Sequence, residues 1–277
     1  MKVFKTIFNF YTNSSIHVAL AVYAMTWITL LSFDLAYDEN ALYFVFYATI
    51  TAYNFVKYFG LAKFHHRRLA SWLKAIQVFS AIAFILMCYY VLHLNFDVLV
   101  LIFALGIVTF LYAIPFIPKK YLFDEQQNLR QVGGIKVYII ALVWSLVTVL
   151  IPLINAQYEI NSDVVLTLFQ RFFLVIVLML PFEIRDLKYD SLKLATIPQK
   201  IGIKKTKIIG LLLLLVFLIL EFFKDELDSG SVLSTLILLS ITFLFLMFAS
   251  KQQSKYYSAF WVEAIPVFWL FALLLFT

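Results

Sequence analysis

Apolar stretches long enough to cross a bilayer recur along the whole of this chain, and they decide what it can fold into. A membrane-crossing helix needs about 20 mostly apolar residues. Runs of that kind occupy roughly 16–33, 41–59, 73–94, 97–114, 136–154, 164–181, 207–222, 232–249 and 258–276. Only 14% of the residues are charged and the mean hydropathy is +0.93, outside the range of a soluble domain. These features predict an all-α polytopic membrane protein, a single domain over residues 1–277 with nine transmembrane helices. The third and fourth runs are so close that they form a hairpin about Asn95.

Charge sorts by connection. Lys2 and Lys5 precede the first run, and Lys57, Lys63, Arg67, Arg68 and Lys74 flank the second connection. Lys119, Lys120, Arg130 and Lys136 belong to the fourth, the stretch Arg185–Lys207 to the sixth, and Lys251 and Lys255 to the eighth. Of the 22 Lys and Arg, only Arg171 and Lys224 fall elsewhere. The odd connections are acidic: Asp34, Asp38 and Glu39, then Asp97, then Glu159 and Asp163, then Glu221, Asp225, Glu226 and Asp228. The positive-inside rule therefore predicts a cytoplasmic N-terminus and an external C-terminus, in a cell inner membrane. The net charge of +6 follows from this arrangement. It suits anionic lipid head groups, and nothing in it requires nucleic acid. A lone Cys88 excludes an internal disulfide or a cysteine metal site and reads as packing. The N-terminal run lacks a small-residue cleavage site and reads as the first membrane helix. No two glycines stand four apart, so the close-packing glycine motif is missing.

The densest chemistry is Pro181-Phe182-Glu183-Ile184-Arg185-Asp186-Leu187-Lys188-Tyr189-Asp190. On a helix, the spacings of Glu183, Asp186 and Asp190 put three carboxylates on one face. Like charges there need a cation. Mg²⁺ is bound by one or two carboxylates plus substrate phosphates. An ordinary charged loop, neutralised by Arg185 and Lys188, is the competing reading.

These residues give the chain a specific resemblance. Glu183, Asp186 and Asp190, then Ala195-Thr196-Ile197-Pro198 and Gly202, resemble the second Asp-rich motif and following segment of the UbiA superfamily of intramembrane prenyltransferases. The segment Tyr112–Lys120 resembles that family's stretch after its fourth helix. The resemblance covers nearly the whole chain. It implies nine helices around a central cavity open to the cytoplasm, and transfer of a prenyl chain from a prenyl diphosphate to a hydrophobic acceptor. It implies Asp186 and Asp190 as catalytic residues that, with Glu183, hold Mg²⁺. With that chemistry in view, Asn54, Lys57, Arg67, Tyr112, Lys119, Arg171, Arg185 and Lys188 are the candidate substrate-binding residues.

The family's first motif is largely replaced. Asn54 matches its leading Asn, but Phe55, Tyr58 and Ala62 stand where its three Asp would be. No carboxylate lies between Glu39 and Asp97. Two readings follow. Lys57, Lys63, Arg67 or Arg68 can grip diphosphate directly, Arg as a planar fork, with one metal at the second motif. Alternatively the chain keeps the architecture without ionisation chemistry and binds a lipid or a partner. Positive-inside topology alone also accounts for the basic cluster.

The remaining polar residues point less clearly. His65 and His66 are adjacent, about 100° apart on a helix, which disfavours a shared metal. They, His17 and His93 read as interfacial. Arg171 and Glu263 lie within runs, where charge is costly and faces the bundle interior or a cavity. Each is a tether, a cavity-lining group or an acceptor contact. A transporter would show Gly or Pro breaks at matching positions in two halves, and no such symmetry is visible. A channel would need polar residues through the outer half, where there are almost none.

Overall fold

A long helical segment forms on each apolar run. The structure, a computed structural model, describes residues 2–64, 71–113, 134–188, 195–225 and 229–276, leaving aside the side chains of residues 2–4, 59–64 and 71. Helix α1 spans Lys2–Asn13, α2 Ile16–Ser32, α3 Glu39–Phe64, α4 Ser71–Val91 and α5 Phe96–Ala113. Next come α6 (Ile135–Ser145), a π-helical turn Leu146–Leu150 and α7 (Ile151–Asn155), which together make one segment. Helices α8 (Ser162–Asp186), α9 (Ile197–Glu221) and α10 (Ser229–Phe248) follow. A second π-helical segment, Tyr257–Val262, leads into α11 (Ile265–Phe276). The described residues form no strand.

Six segments are long and apolar enough to cross a membrane: Trp72–Val91, Phe96–Ala113, Ile135–Asn155, Ser162–Asp186, Ser229–Phe248 and Tyr257–Phe276. The pair Lys5–Asn13 and Ile16–Ser32, bent by 55°, makes a seventh when counted as one broken span. The protein is an integral membrane protein. Helices α3 and α9 are not among the six; both carry lysines, Lys57 and Lys63 in α3 and Lys200, Lys204, Lys205 and Lys207 in α9. Helix α1 was not expected from the sequence. It is short and packs by aromatic contacts, Phe8 on Tyr256 and Phe260, and Phe10 on Phe79.

Local signals set the boundaries. The Asn161 side chain accepts the Val164 N–H at 3.1 Å and caps α8. Pro198 stands in the first turn of α9, where a missing N–H is harmless, and the Gln199 side chain accepts the Thr196 N–H at 3.0 Å. Gly202, at φ 79° and ψ 161°, breaks α9, a conformation that a side chain would oppose. Pro152 opens α7 directly after the π-turn, which absorbs the hydrogen-bond register its missing N–H upsets.

Successive segments alternate in direction. At one end, Asn155 donates to Asp38 at 2.6 Å and accepts from the Asn95 N–H at 3.0 Å, tying three connections together. The predicted hairpin about Asn95 is present between α4 and α5. At the other end, Gln253 donates to the Pro181 carbonyl at 2.9 Å and Lys207 reaches the Met247 carbonyl. Helix α2 is central, between α3 and α11 and against the Leu146–Leu150 turn. A large apolar core joins α2, α6, α8, α9, α10 and α11, and a smaller one joins α2, α3, α4, α5 and α7. Outward faces of α4, α5 and α9 present Ile85, Phe103, Leu212 and similar side chains, a surface fit for lipid. Cys88 is half-buried and free.

Candidate functional site

The described charges at the end of the bundle that carries Glu183 and Asp186 form linked pairs, not a row of bare carboxylates. Glu183, 2% exposed on the last turn but one of α8, meets Lys136 from the start of α6 at 3.4 Å. Lys136 follows Gly134, whose φ of 78° turns the chain into α6. A Cβ on Gly134 would come within 3.3 Å of the Ala195 carbonyl, so this glycine lets the entry to α9 close over the same end.

Asp186 turns to another neighbour. Arg185 clasps it in a fork, Nε to Oδ1 at 2.7 Å and Nη2 to Oδ2 at 3.1 Å. The remaining Nη1 donates to Ser258 at 2.8 Å, on the Tyr257–Val262 π-turn. The guanidinium also lies 5.3 Å from the Phe182 ring centre. Glu263, between that turn and α11, lies within electrostatic range of both Lys57 and Arg185. Asp190 lies outside the described residues, so the structure brings two of the three expected carboxylates to this end.

Asn54 is a buried hub on α3, 3% exposed. Its amide accepts from Ser15 at 2.8 Å and donates to the Ser14 carbonyl at 2.9 Å and to Ser80 at 2.8 Å. It thus holds α2, α3 and α4 at the break between α1 and α2, where Ser15 adopts a φ of 65°. Lys57, one turn on, donates to Ser15 at 2.9 Å and lies 5.9 Å from the Tyr53 ring centre. Tyr112 is buried at the end of α5, within electrostatic reach of Tyr53, whose hydroxyl accepts from Trp144 at 3.0 Å. Lys188 is exposed just past α8. Arg67 and Lys119 lie outside the described residues, as do His65 and His66.

His17 is not interfacial: it is 4% exposed. Its Nε2 donates to the Phe260 carbonyl at 2.7 Å, since a carbonyl only accepts. Its Nδ1 lies 2.7 Å from the Tyr11 hydroxyl. Both nitrogens tie α1 and α2 to the π-turn. Arg171 stands apart from the end cluster, twelve residues before Glu183 and so about 18 Å down α8. Lys136, Ser15 and Ser258 were not singled out by the sequence, because their partners are 39 or more residues away and no spacing signals the contact.

The donor chemistry at this end fits Mg²⁺ in part. Glu183 and Asp186 supply hard carboxylate oxygens, and substrate phosphates commonly complete such a site. Both are now neutralised by side-chain cations, so Asp186 must leave Arg185 before it can serve. Among the described residues no group of three His, Cys, Asp or Glu is placed to hold a metal. Counted together, Lys57, Lys136, Arg185 and Lys188 give four cations against Glu183, Asp186 and Glu263.

No family model matches the chain, and no curated protein does either. A solved structure of digeranylgeranylglyceryl phosphate synthase in membranes is similar over 98% of both chains, with a TM-score of 0.58 and 17% identity. The likeness is one of fold. It agrees with the all-helical membrane architecture expected from the sequence.

Proposed function

We propose that this protein transfers a prenyl chain from a prenyl diphosphate to a hydrophobic acceptor within the membrane, as UbiA-superfamily enzymes do. One observation carries the reading. The bundle resembles a digeranylgeranylglyceryl phosphate synthase along its whole length, and its excess of cations gathers at the end with the Glu183–Asp186 turn. On this reading all nine long segments cross the membrane around a central cavity. The clustered end faces the cytoplasm of a cell inner membrane, and the C-terminus lies outside.

Lys57, Arg185 and Lys188 grip the diphosphate, with Arg67 and Lys119 from the flanking connections. Arg185 already presents a planar fork to an anion, Asp186, and a diphosphate oxygen pair is the stronger competitor for it. That exchange releases Asp186. When bound, Mg²⁺ adds positive charge against the leaving diphosphate, and Glu183, Asp186 and Asp190 would hold it. The allylic C–O bond breaks, the pair of electrons leaves with the diphosphate, and cations aimed there stabilise the charge as it develops. The acceptor's nucleophilic atom then bonds to the allylic carbon, and its proton passes to a carboxylate such as Glu263. Tyr112 contributes an aromatic face near the allylic carbon. The apolar packing of α2, α8 and α11 keeps water from the cation. Asn54 holds the wall from which Lys57 reaches the diphosphate.

The pairing of both described carboxylates with protein cations favours a second reading, a non-catalytic relative that binds a lipid. Purified protein supplied with a series of prenyl diphosphates, Mg²⁺ and a lipid extract separates them. A transferase releases diphosphate, and Asp186→Asn abolishes the release without moving the melting temperature. If the wild type releases nothing from any donor, and Asp186→Asn changes neither stability nor donor binding, the lipid-binding reading replaces the enzymatic one.

A further inference from the structure

A polar cavity lies at the end of the bundle opposite Glu183 and Asp186, where α8 begins and α9 ends. Its wall includes Thr167, Gln170, Arg171, Glu221, Lys224 and Trp269. About 10 Å³ is open to the centre of a water-sized particle, room for a single small occupant. Burying an arginine at this depth of a membrane helix is costly, so its partners should be complete. They are not. Arg171 is 2% exposed, and its Nη2 donates to Thr29 at 3.2 Å while the guanidinium stacks 4.9 Å from the Trp269 ring centre. Its Nη1 has no hydrogen-bond partner among the described residues, nor do the Trp269 indole N–H and the Thr167 hydroxyl. Thr167 and Trp269 are 6% and 8% exposed. Three buried donors therefore line one cavity with nothing to receive them.

Charge points the same way. The carboxylate of Glu221 is engaged at Oε2 by Gln170 at 2.7 Å and by Lys224 at 2.8 Å. Among the ionisable side chains of the wall, Arg171 and Lys224 outnumber Glu221 by one. A lone water accepts from two of these three donors at most. A halide accepts from all three, donates none and cancels the surplus charge.

We propose that this cavity binds a single halide-sized monovalent anion, chloride in the cell, held by Arg171 Nη1, Trp269 Nε1 and the Thr167 hydroxyl. The site is separate from the diphosphate end and owes nothing to the prenyl-transfer reading. It would fasten α8 to α11 by an ion-mediated contact.

The test uses the full chain in detergent, titrated with sodium chloride or bromide against sodium gluconate at constant ionic strength. Melting temperature and chloride NMR line width are read in parallel. The expected result is a saturable rise in melting temperature with either halide, and a broadened chloride line that bromide narrows by competition. Trp269→Phe keeps the ring under Arg171 but removes one donor, and Thr167→Val removes another. Each should weaken the apparent halide affinity roughly tenfold, the loss of one charge-assisted hydrogen bond. Should one variant fail to fold, the other is read alone. Identical melting in halide and gluconate with no line broadening would assign the donors to water and overturn the proposal. A halide effect undiminished in every folded variant would place the ion elsewhere and overturn it equally.

Discussion

Replacing Asn54 by alanine tests whether its amide serves the fold or the substrate. The side chain is 3% exposed and makes three hydrogen bonds, to Ser15, the Ser14 carbonyl and Ser80, at 2.8, 2.9 and 2.8 Å. Each is worth about 1 kcal/mol net, so the loss is about 3 kcal/mol, and more if the Ser14 carbonyl is left buried without a donor. For a chain of this size, 1 kcal/mol moves the melting temperature by about 2–4 °C. Asn54→Ala should therefore melt roughly 6–12 °C below wild type, read by intrinsic fluorescence in detergent. Combining it with Ser80→Ala should recover about 1 kcal/mol of coupling, because the pair share one hydrogen bond. A purely substrate-facing Asn54 behaves otherwise: the melting temperature stays within about 2 °C of wild type and only the KM for prenyl diphosphate rises. That outcome would refute the assignment of the amide to the break between α1 and α2.

Other consequences are local. Gly210→Val puts new atoms against Leu246 and Leu180, 2.8 Å from Leu180 Cδ1, where α9 packs on α8 and α10. Such overpacking should lower stability by about 1–3 kcal/mol in thermal unfolding. Gln170→Leu removes one of the two donors to the buried Glu221 carboxylate, Lys224 remaining, and a donor to the Phe217 carbonyl, and should destabilise by about 2–3 kcal/mol in the same assay. Arg185→Lys keeps the charge but loses the fork on Asp186. With both partners partly exposed, its melting temperature should stay near wild type. Its KM for prenyl diphosphate should rise roughly tenfold in the diphosphate-release assay, the worth of one charge-assisted hydrogen bond.

Helical segments were legible in the sequence because bilayer thickness imposes a length on them. The runs 16–33 and 97–114 fall within a residue of α2 and α5. Legibility failed where apolarity was not the signal. Helix α9 starts ten residues before the run at 207, since Thr196, Pro198 and Gln199 start a helix through local hydrogen bonding that hydropathy does not register. Helix α1 escaped for the opposite reason: twelve residues cannot span a membrane, and it is held by aromatic contacts from residues some 250 positions away. At the site, Glu183 and Asp186 were legible as a charged pair on α8. Their separation was not. Spacing put both on one face, whereas the direction each takes is set by Lys136 on α6 and by Arg185 braced against Ser258.

That separation bears on the missing first motif. A carboxylate-rich wall on α3 would need metal to accept diphosphate. The wall present here offers Lys57, oriented by Ser15 and facing Glu263. Arg185 is occupied by Asp186, and Glu263 is within electrostatic range of both cations. Under the prenyl-transfer reading a diphosphate draws both cations, so that Asp186 loses its ion-pair partner and Glu263 the positive charge nearby. Asp186 would then be available to hold Mg²⁺, and Glu263 to take the acceptor's proton. On that reading, an α3 without carboxylates beyond Glu39 makes the arrival of substrate the event that exposes the acidic groups. Glu263→Gln separates this from a tether role. It should leave diphosphate affinity intact or stronger while lowering turnover, whereas a mere tether would lose stability and affinity together.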